Sequence, residues 1–214
     1  MHKSIQLLVP LALTLAICGA GTGCSPYNKV RLKAGSFDLL KPQTALNVEY
    51  DYQGLRIGRL KKKSVPEQEC IDARVAELNA RNAGTGDLWR HEWFGNRSLR
   101  YHPKFEALLN KQLAGGKTTL ISGAHPDAPY TLVLKVQYLE PGWHVGIAAR
   151  PALLTSEAVL VETRDRARTV ATVSLINMVG MDAWGMAYDG SWRIQESYAK
   201  SGKELGSLIR KTLR

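Results

Sequence analysis

The sequence predicts an α+β fold, an antiparallel sheet packed on one face by helices in a two-layer sandwich. Three observations predict it. Tyr130 to Glu140 and Ala45 to Tyr52 alternate apolar and polar residues, the period of a half-buried strand. The strand-like stretches Leu153 to Thr163 and Thr169 to Gly180 are joined only by Arg164-Asp165-Arg166-Ala167-Arg168. So short a link implies antiparallel pairing, because a parallel partner needs a long crossover. Near the C-terminus, Ile194, Tyr198, Leu205, Leu208, Ile209 and Leu213 recur at helical spacing and form one apolar stripe. Such a mixture of strands and helices is satisfied when helices cover one face of the sheet and water the other.

The chain opens with Met1-His2-Lys3, a short positive start, followed by the apolar run Ile5 to Ile17. That run has the length of a secretion-signal core and falls short of the roughly 20 residues needed to span a bilayer. Small residues follow, Gly19-Ala20-Gly21-Thr22-Gly23, and then Cys24. This arrangement resembles the lipobox of bacterial lipoproteins, although Gly21 stands where that pattern prefers Leu. The resemblance implies a signal over residues 1–23, acylation of Cys24 and a membrane anchor of several acyl chains, each buried CH₂ adding about 0.8 kcal/mol. Ser25 rather than Asp follows the cysteine, which by resemblance to Gram-negative sorting favours the outer membrane. Lys29, Arg31 and Lys33 follow in place of an acidic run, so a domain facing the periplasm is expected. Residues 24–30 read as a tether and 31–214 as a single domain.

Removing 23 of the 214 residues leaves a chain of ordinary domain size. Hydrophobic residues make up 44% and charged residues 22%, which fits a packed core and excludes wholesale disorder. The formal net charge is +10, of which the leader holds only Lys3. A basic surface attracts anionic partners such as lipid headgroups or lipopolysaccharide phosphates. An exported chain is not expected to meet nucleic acid. Of three cysteines, Cys18 lies in the leader and Cys24 at its end. Cys70 is left without a disulfide partner and reads as a small, half-buried apolar residue on a helix.

Along the mature chain, Val30 to Asp38 reads as extended. Ser64-Val65-Pro66-Glu67 has the spacing of a capping box, placing a helix start at Ser64. Ile71, Val75 and Leu78 form that helix's apolar face, and Asn82-Ala83-Gly84 ends it. The Trp- and Arg-rich stretch 85–101 has no clear period. His102 to Leu113 is a second helix with Phe105, Leu108, Leu109 and Leu113 inward. Thr118 to Ser122 is a short strand. In the strand from Tyr130, the residues Leu132, Leu134, Val136 and Tyr138 share the inward face, and Pro141-Gly142 then turns the chain. Asp189 or Ser191 caps the last helix, on which Gly202 falls on the inward stripe and permits close approach to a sheet.

No familiar catalytic pattern emerges. Gly115-Gly116-Lys117-Thr118-Thr119 resembles a phosphate-binding loop, but Lys111 stands where the motif needs Gly. The order helix–loop–strand is also the reverse of what that loop requires. His91, His102, His125 and His144 show no metal-ligand spacing, and no Gly-x-Ser-x-Gly elbow is present. No cofactor and no metal are therefore expected. The candidate partner-binding residues are Trp89, Trp93, Trp143 and His144, because aromatic rings beside turns serve as contact anchors, although tryptophans also plug core edges. A hydrolytic site using His144 and Glu140 beside the Pro141-Gly142 bend is the alternative.

From about Ala45 onward, three stretches resemble a family of uncharacterised envelope lipoproteins of Bacteroidetes-type bacteria. They are Tyr101-His102-Pro103-Lys104-Phe105, Leu139-Glu140-Pro141-Gly142-Trp143-His144-Val145-Gly146 and Trp192-Arg193-Ile194-Gln195-Glu196-Ser197-Tyr198-Ala199-Lys200-Ser201-Gly202-Lys203. The resemblance implies an envelope location, and the family has no established catalytic role to carry onto these residues. The expected function is that of a lipid-anchored, non-enzymatic binding or assembly module. Its partners would be the membrane, through the anchor, and another envelope protein or lipopolysaccharide.

Overall fold

The computed structural model describes residues 25–59, 62–115, 119–145, 148–181 and 190–214. Cys24 and Asp189 lie outside the described residues. The strands are β1 (Lys29–Gly35), β2 (Ala45–Asp51), β3 (Arg56–Arg59), β4 (Lys62–Pro66), β5 (Ile121–Gly123), β6 (Tyr130–Glu140), β7 (Trp143–Val145), β8 (Ala148–Arg150), β9 (Ala152–Glu162) and β10 (Thr169–Gly180). The helices are α1 (Glu67–Arg81), α2 (Thr85–Asn96), α3 (His102–Leu113) and α4 (Gly190–Thr212), with a π-helical stretch, Arg97–Tyr101, between α2 and α3.

The fold is α+β, and its main sheet runs β1-β10-β9-β6-β2-β5, with β3 paired to the far end of β6 and β4 to β3. From β1 to β6 all neighbours are antiparallel, as the short turn at 164–168 requires. The other half differs from the all-antiparallel expectation. β2 and β3 lie parallel to β6, and β5 parallel to β2, so the sheet is mixed. The cause is the helical segment α1 to α3, which supplies the long crossover that returns the chain to run beside β2 in the same direction. β7 and β8 form a separate two-stranded ribbon.

Helices α3 and α4 cover one face. Phe105, Leu109 and Leu113 of α3 and Ile194, Tyr198, Leu205 and Ile209 of α4 are buried against Leu132, Leu134, Leu154, Leu160, Val173 and Leu175 of the sheet. Gly202 lies on the inward face as expected but meets a different neighbour. A Cβ there would collide with the Phe105 carbonyl oxygen of α3, so the residue brings two helices together rather than a helix and a sheet. The helix–sheet approach uses Gly180 at the end of β10, where a Cβ would strike the Arg193 carbonyl.

Two local expectations are corrected. Ser64 lies within strand β4 and accepts a hydrogen bond from Arg56 Nε (3.0 Å). Helix α1 starts after Pro66, with no side-chain cap. Pairing of β4 with β3 outcompetes the local capping box, and Pro66 suits the boundary because its fixed φ and missing N–H cost nothing there. In β6, Leu132, Leu134 and Val136 point inward, but Leu139 is buried where Tyr138 was expected. Gln137 is an extra residue between the pairs Val136–Ser156 and Tyr138–Thr155. Such a bulge inverts the inward side of everything beyond it.

Candidate functional site

The Trp-rich stretch left unassigned by period is α2, folded back on α1. Between these helices, the first turn of α4 and the Pro141-Gly142 link lies an open cleft of about 530 Å³. Helix α2 contributes Trp89, Glu92, Trp93 and Asn96; α1 contributes Cys70, Arg74 and Glu77; Tyr101, Ser191 and Ile194 complete the wall. Trp89 and Trp93 are one helical turn apart and so share a face. Their rings lie 5.4 Å apart, tilted by 34°. On the opposite wall Arg74 (2.8 Å) and Arg81 (2.6 Å) hold Glu77, and the hydrogen bond from Arg74 keeps its carboxyl below the ordinary range.

One wall of the cleft rests on a polar and aromatic network. The indole N–H of Trp93 donates to Glu67 Oε1 (2.7 Å), and Arg97 Nη2 reaches both oxygens of the same carboxylate (2.5 and 2.6 Å). The guanidinium of Arg97 lies 3.7 Å from the centre of the Tyr52 ring. The Tyr52 hydroxyl shares hydrogen bonds with His102 Nε2 (2.9 Å) and the Tyr198 hydroxyl (3.1 Å). Tyr50 stacks flat on His102 at 3.6 Å and donates to Glu106 (2.8 Å). The Tyr101 ring, which lines the cleft, stacks on Tyr198.

Burial sets the protonation of these groups. It pushes His102 down to about 4, with Arg97 adding to the effect. It pushes Tyr52 up to about 12 and also raises Tyr50 and Tyr198. At neutral pH the imidazole and the phenols are therefore uncharged. A histidine whose pKa lies so far below neutral pH is a weak general base.

Of the residues singled out in the sequence, Trp89 and Trp93 come together in the cleft. Trp143 and His144 do not. They lie on β7, paired with Arg150 and Ala149, and only the preceding Pro141-Gly142 link reaches the cleft wall. Glu140 is buried, with Arg150 Nε (3.1 Å) and the Tyr138 hydroxyl (3.1 Å) on its carboxylate. Cys70 is half-buried on α1 and faces the cleft. The sequence reading missed Glu67, Arg97, Tyr52 and Tyr101. Glu67 carries a signal there, a carboxylate beside a helix start, but its partner lies 30 residues on. Among the described residues no three His, Cys, Asp or Glu side chains gather as metal ligands would. No helix among them is long and apolar enough to cross a membrane.

No family model matches the chain, and no curated protein matches it. Solved structures similar to it include the following two. The PelC dodecamer from Paraburkholderia phytofirmans is 13% identical, over 84% of this chain and 98% of that one, with a TM-score of 0.38. The DUF330 protein XCC0632 from Xanthomonas campestris is 10% identical, over 78% and 84%, with a TM-score of 0.36. Similarities of this size say nothing about activity or partners.

Proposed function

We propose that this chain is a lipid-anchored protein of the bacterial cell envelope whose domain is a non-enzymatic binding module, with the Trp89–Trp93 cleft as its contact site. The apolar leader and Cys24 support the anchor, and Ser25 supports an outer-membrane position facing the periplasm. The observation that carries the binding role is the construction of the cleft. Two indole rings sit side by side in an open concavity, and one is pinned by Glu67 before any partner arrives. Pre-positioned aromatic side chains lose little entropy on contact and dominate interface energetics. The partner is another envelope protein, and lipopolysaccharide is the alternative. Hydrolysis at Glu140 and His144 finds no support, because that carboxylate is occupied by Arg150 and His144 stands outside the cleft.

A photo-crosslinking residue in place of Glu92, on the exposed cleft rim, tests the reading in intact cells. A discrete protein adduct that disappears in Trp89→Ala is the expected result. A carbohydrate-positive ladder would make lipopolysaccharide the partner. Light-independent bands only, or adducts indifferent to Trp89→Ala, would refute the cleft as a contact site. Mass spectrometry of the mature N-terminal peptide tests the anchor, and an unmodified Cys24 would refute it.

A further inference from the structure

The point at which the chain joins the domain decides which end of the sheet meets a membrane. The Pro26 carbonyl accepts a hydrogen bond from Asn177 Nδ2 (3.0 Å). The Asn28 amide donates to the Asn177 carbonyl (3.0 Å), and Asn28 Oδ1 accepts from the Val179 amide (2.9 Å). The chain is thus pinned to the end of β10 from Pro26 onward. Only Ser25 stands between Pro26 and Cys24. Two residues of extended chain reach at most about 7 Å. Acyl chains on Cys24 would therefore hold this end of the domain against the bilayer, with no slack for the domain to turn over.

The strand register shows what else lies at that end. Lys29 pairs with Ile176, and the neighbouring rows continue through Ser156 to Val136. Strands β6 and β10 run toward the anchored end and finish there, and β3, parallel to β6, does the same. Both hairpins that follow these strands consequently project at this end. In β3–β4, Arg59 is in register with Lys62, and exposed Lys63 follows. In β7–β8, Val145 is 70% exposed. Met181, just past β10, is 63% exposed, and Tyr27 beside the pinned segment is 45% exposed. At the opposite end, two of the three arginines of the β9–β10 turn are paired with carboxylates, Arg166 with Glu49 of β2 (2.7 Å) and Arg168 with Glu162 of β9 (3.0 Å).

Exposed apolar side chains beside basic positions, at the same end of the sheet as an acyl anchor, match the layering of a phospholipid surface. Apolar side chains gain by entering the acyl boundary, and each nearby Lys or Arg is drawn to the anionic headgroups. We infer that the end of the domain formed by the β3–β4 and β7–β8 hairpins, Tyr27 and Met181 lies directly on an anionic phospholipid surface. Val145 and Met181 dip into the headgroup layer, and Lys29 and Lys63 meet the phosphates. The inference rests on acylation of Cys24. It adds an orientation: Pro141 and Gly142, at the root of the β7–β8 ribbon, place part of the cleft wall on the membrane side.

The test uses the acylated mature protein reconstituted into vesicles of phosphatidylethanolamine and phosphatidylglycerol. With Cys70 replaced by alanine, single cysteines are introduced as Val145→Cys, Met181→Cys or Arg164→Cys and labelled with an environment-sensitive fluorophore. Labels at 145 and 181 should shift to the blue and be quenched by nitroxide-bearing lipids, whereas the label at 164 should respond only to aqueous iodide. Replacing phosphatidylglycerol by phosphatidylcholine should weaken the lipid quenching while the anchor keeps the protein on the vesicle, and quenching unchanged by that replacement would overturn the anionic surface. Labels at 145 and 181 as aqueous as that at 164, on a protein that floats with the vesicles and carries the acyl mass, would overturn the docking surface and leave the anchor standing. Absence of the acyl mass would overturn the anchor and the orientation together.

Discussion

Replacing Arg97 by alanine removes the cation from a carboxylate that has little access to water. The side chains of Glu67 and Arg97 are 14% and 18% exposed. Breaking a fully buried pair from one side costs about 3–5 kcal/mol, because the remaining charge is left in a poor environment. The residual exposure lowers this, and loss of the guanidinium from the Tyr52 ring adds about 0.5–1 kcal/mol. The Trp93 N–H remains as one donor to the orphaned carboxylate. The expected loss is about 2–4 kcal/mol, a large share of the 5–15 kcal/mol that holds a typical domain together. The combination Glu67→Gln with Arg97→Leu removes both charges and should recover at least half of that loss, since apolar or neutral replacements of a buried pair are often close to neutral. Urea unfolding followed by circular dichroism measures the wild type, Arg97→Ala, the single variants Glu67→Gln and Arg97→Leu, and the double variant that combines these last two. A cost below about 1 kcal/mol for Arg97→Ala, or a double variant as unstable as the sum of the singles, would refute the claim that the pair supports the cleft.

Gly202→Ala should destabilise the protein by about 3 kcal/mol, because the added methyl group meets the Phe105 carbonyl oxygen and comes within 3.0 Å of its carbon; an unchanged thermal midpoint would show that α3 and α4 can separate freely. Acid should weaken the fold through His102. Its folded pKa is about 4, and the unfolded ring titrates near its ordinary 6.5, so between these values the unfolded chain takes up a proton that the folded one refuses. This contribution is fully present above pH 6.5, declines as the pH falls toward 4 and is level below. The gap corresponds to about 3 kcal/mol, reduced to about 1–2 kcal/mol for a ring that is only half-buried. Stability curves of wild type and His102→Gln should therefore differ in slope across that window, and parallel curves would refute the assignment.

The parts of this protein legible in its sequence are those governed by neighbours close in the chain. Alternation placed β6 over Tyr130–Glu140, and the tight charged turn at 164–168 required β9 and β10 to pair antiparallel. Helical spacing placed α3 over His102–Leu113 and put Ile194, Tyr198, Leu205 and Ile209 of α4 inward. Each pattern records whether successive side chains face core or water. Trp89 and Trp93 could be singled out for the same reason, being large rings in an otherwise polar stretch.

Tertiary structure decided whatever required distant residues to meet. Strand β2 could have joined the sheet in either direction, and only the path of α1 to α3 made it parallel to β6. Ser64 had a local cap available and lost it to the β3–β4 ladder. The bulge at Gln137 arises from the register with β9, which no single strand encodes. Glu67 and Arg97 become a pair, and Trp93 an anchored ring, only once α1 and α2 fold back on each other. Periodicity reports the environment of one residue at a time, whereas a cleft is a relation between surfaces whose free energy exists only after the chain has closed.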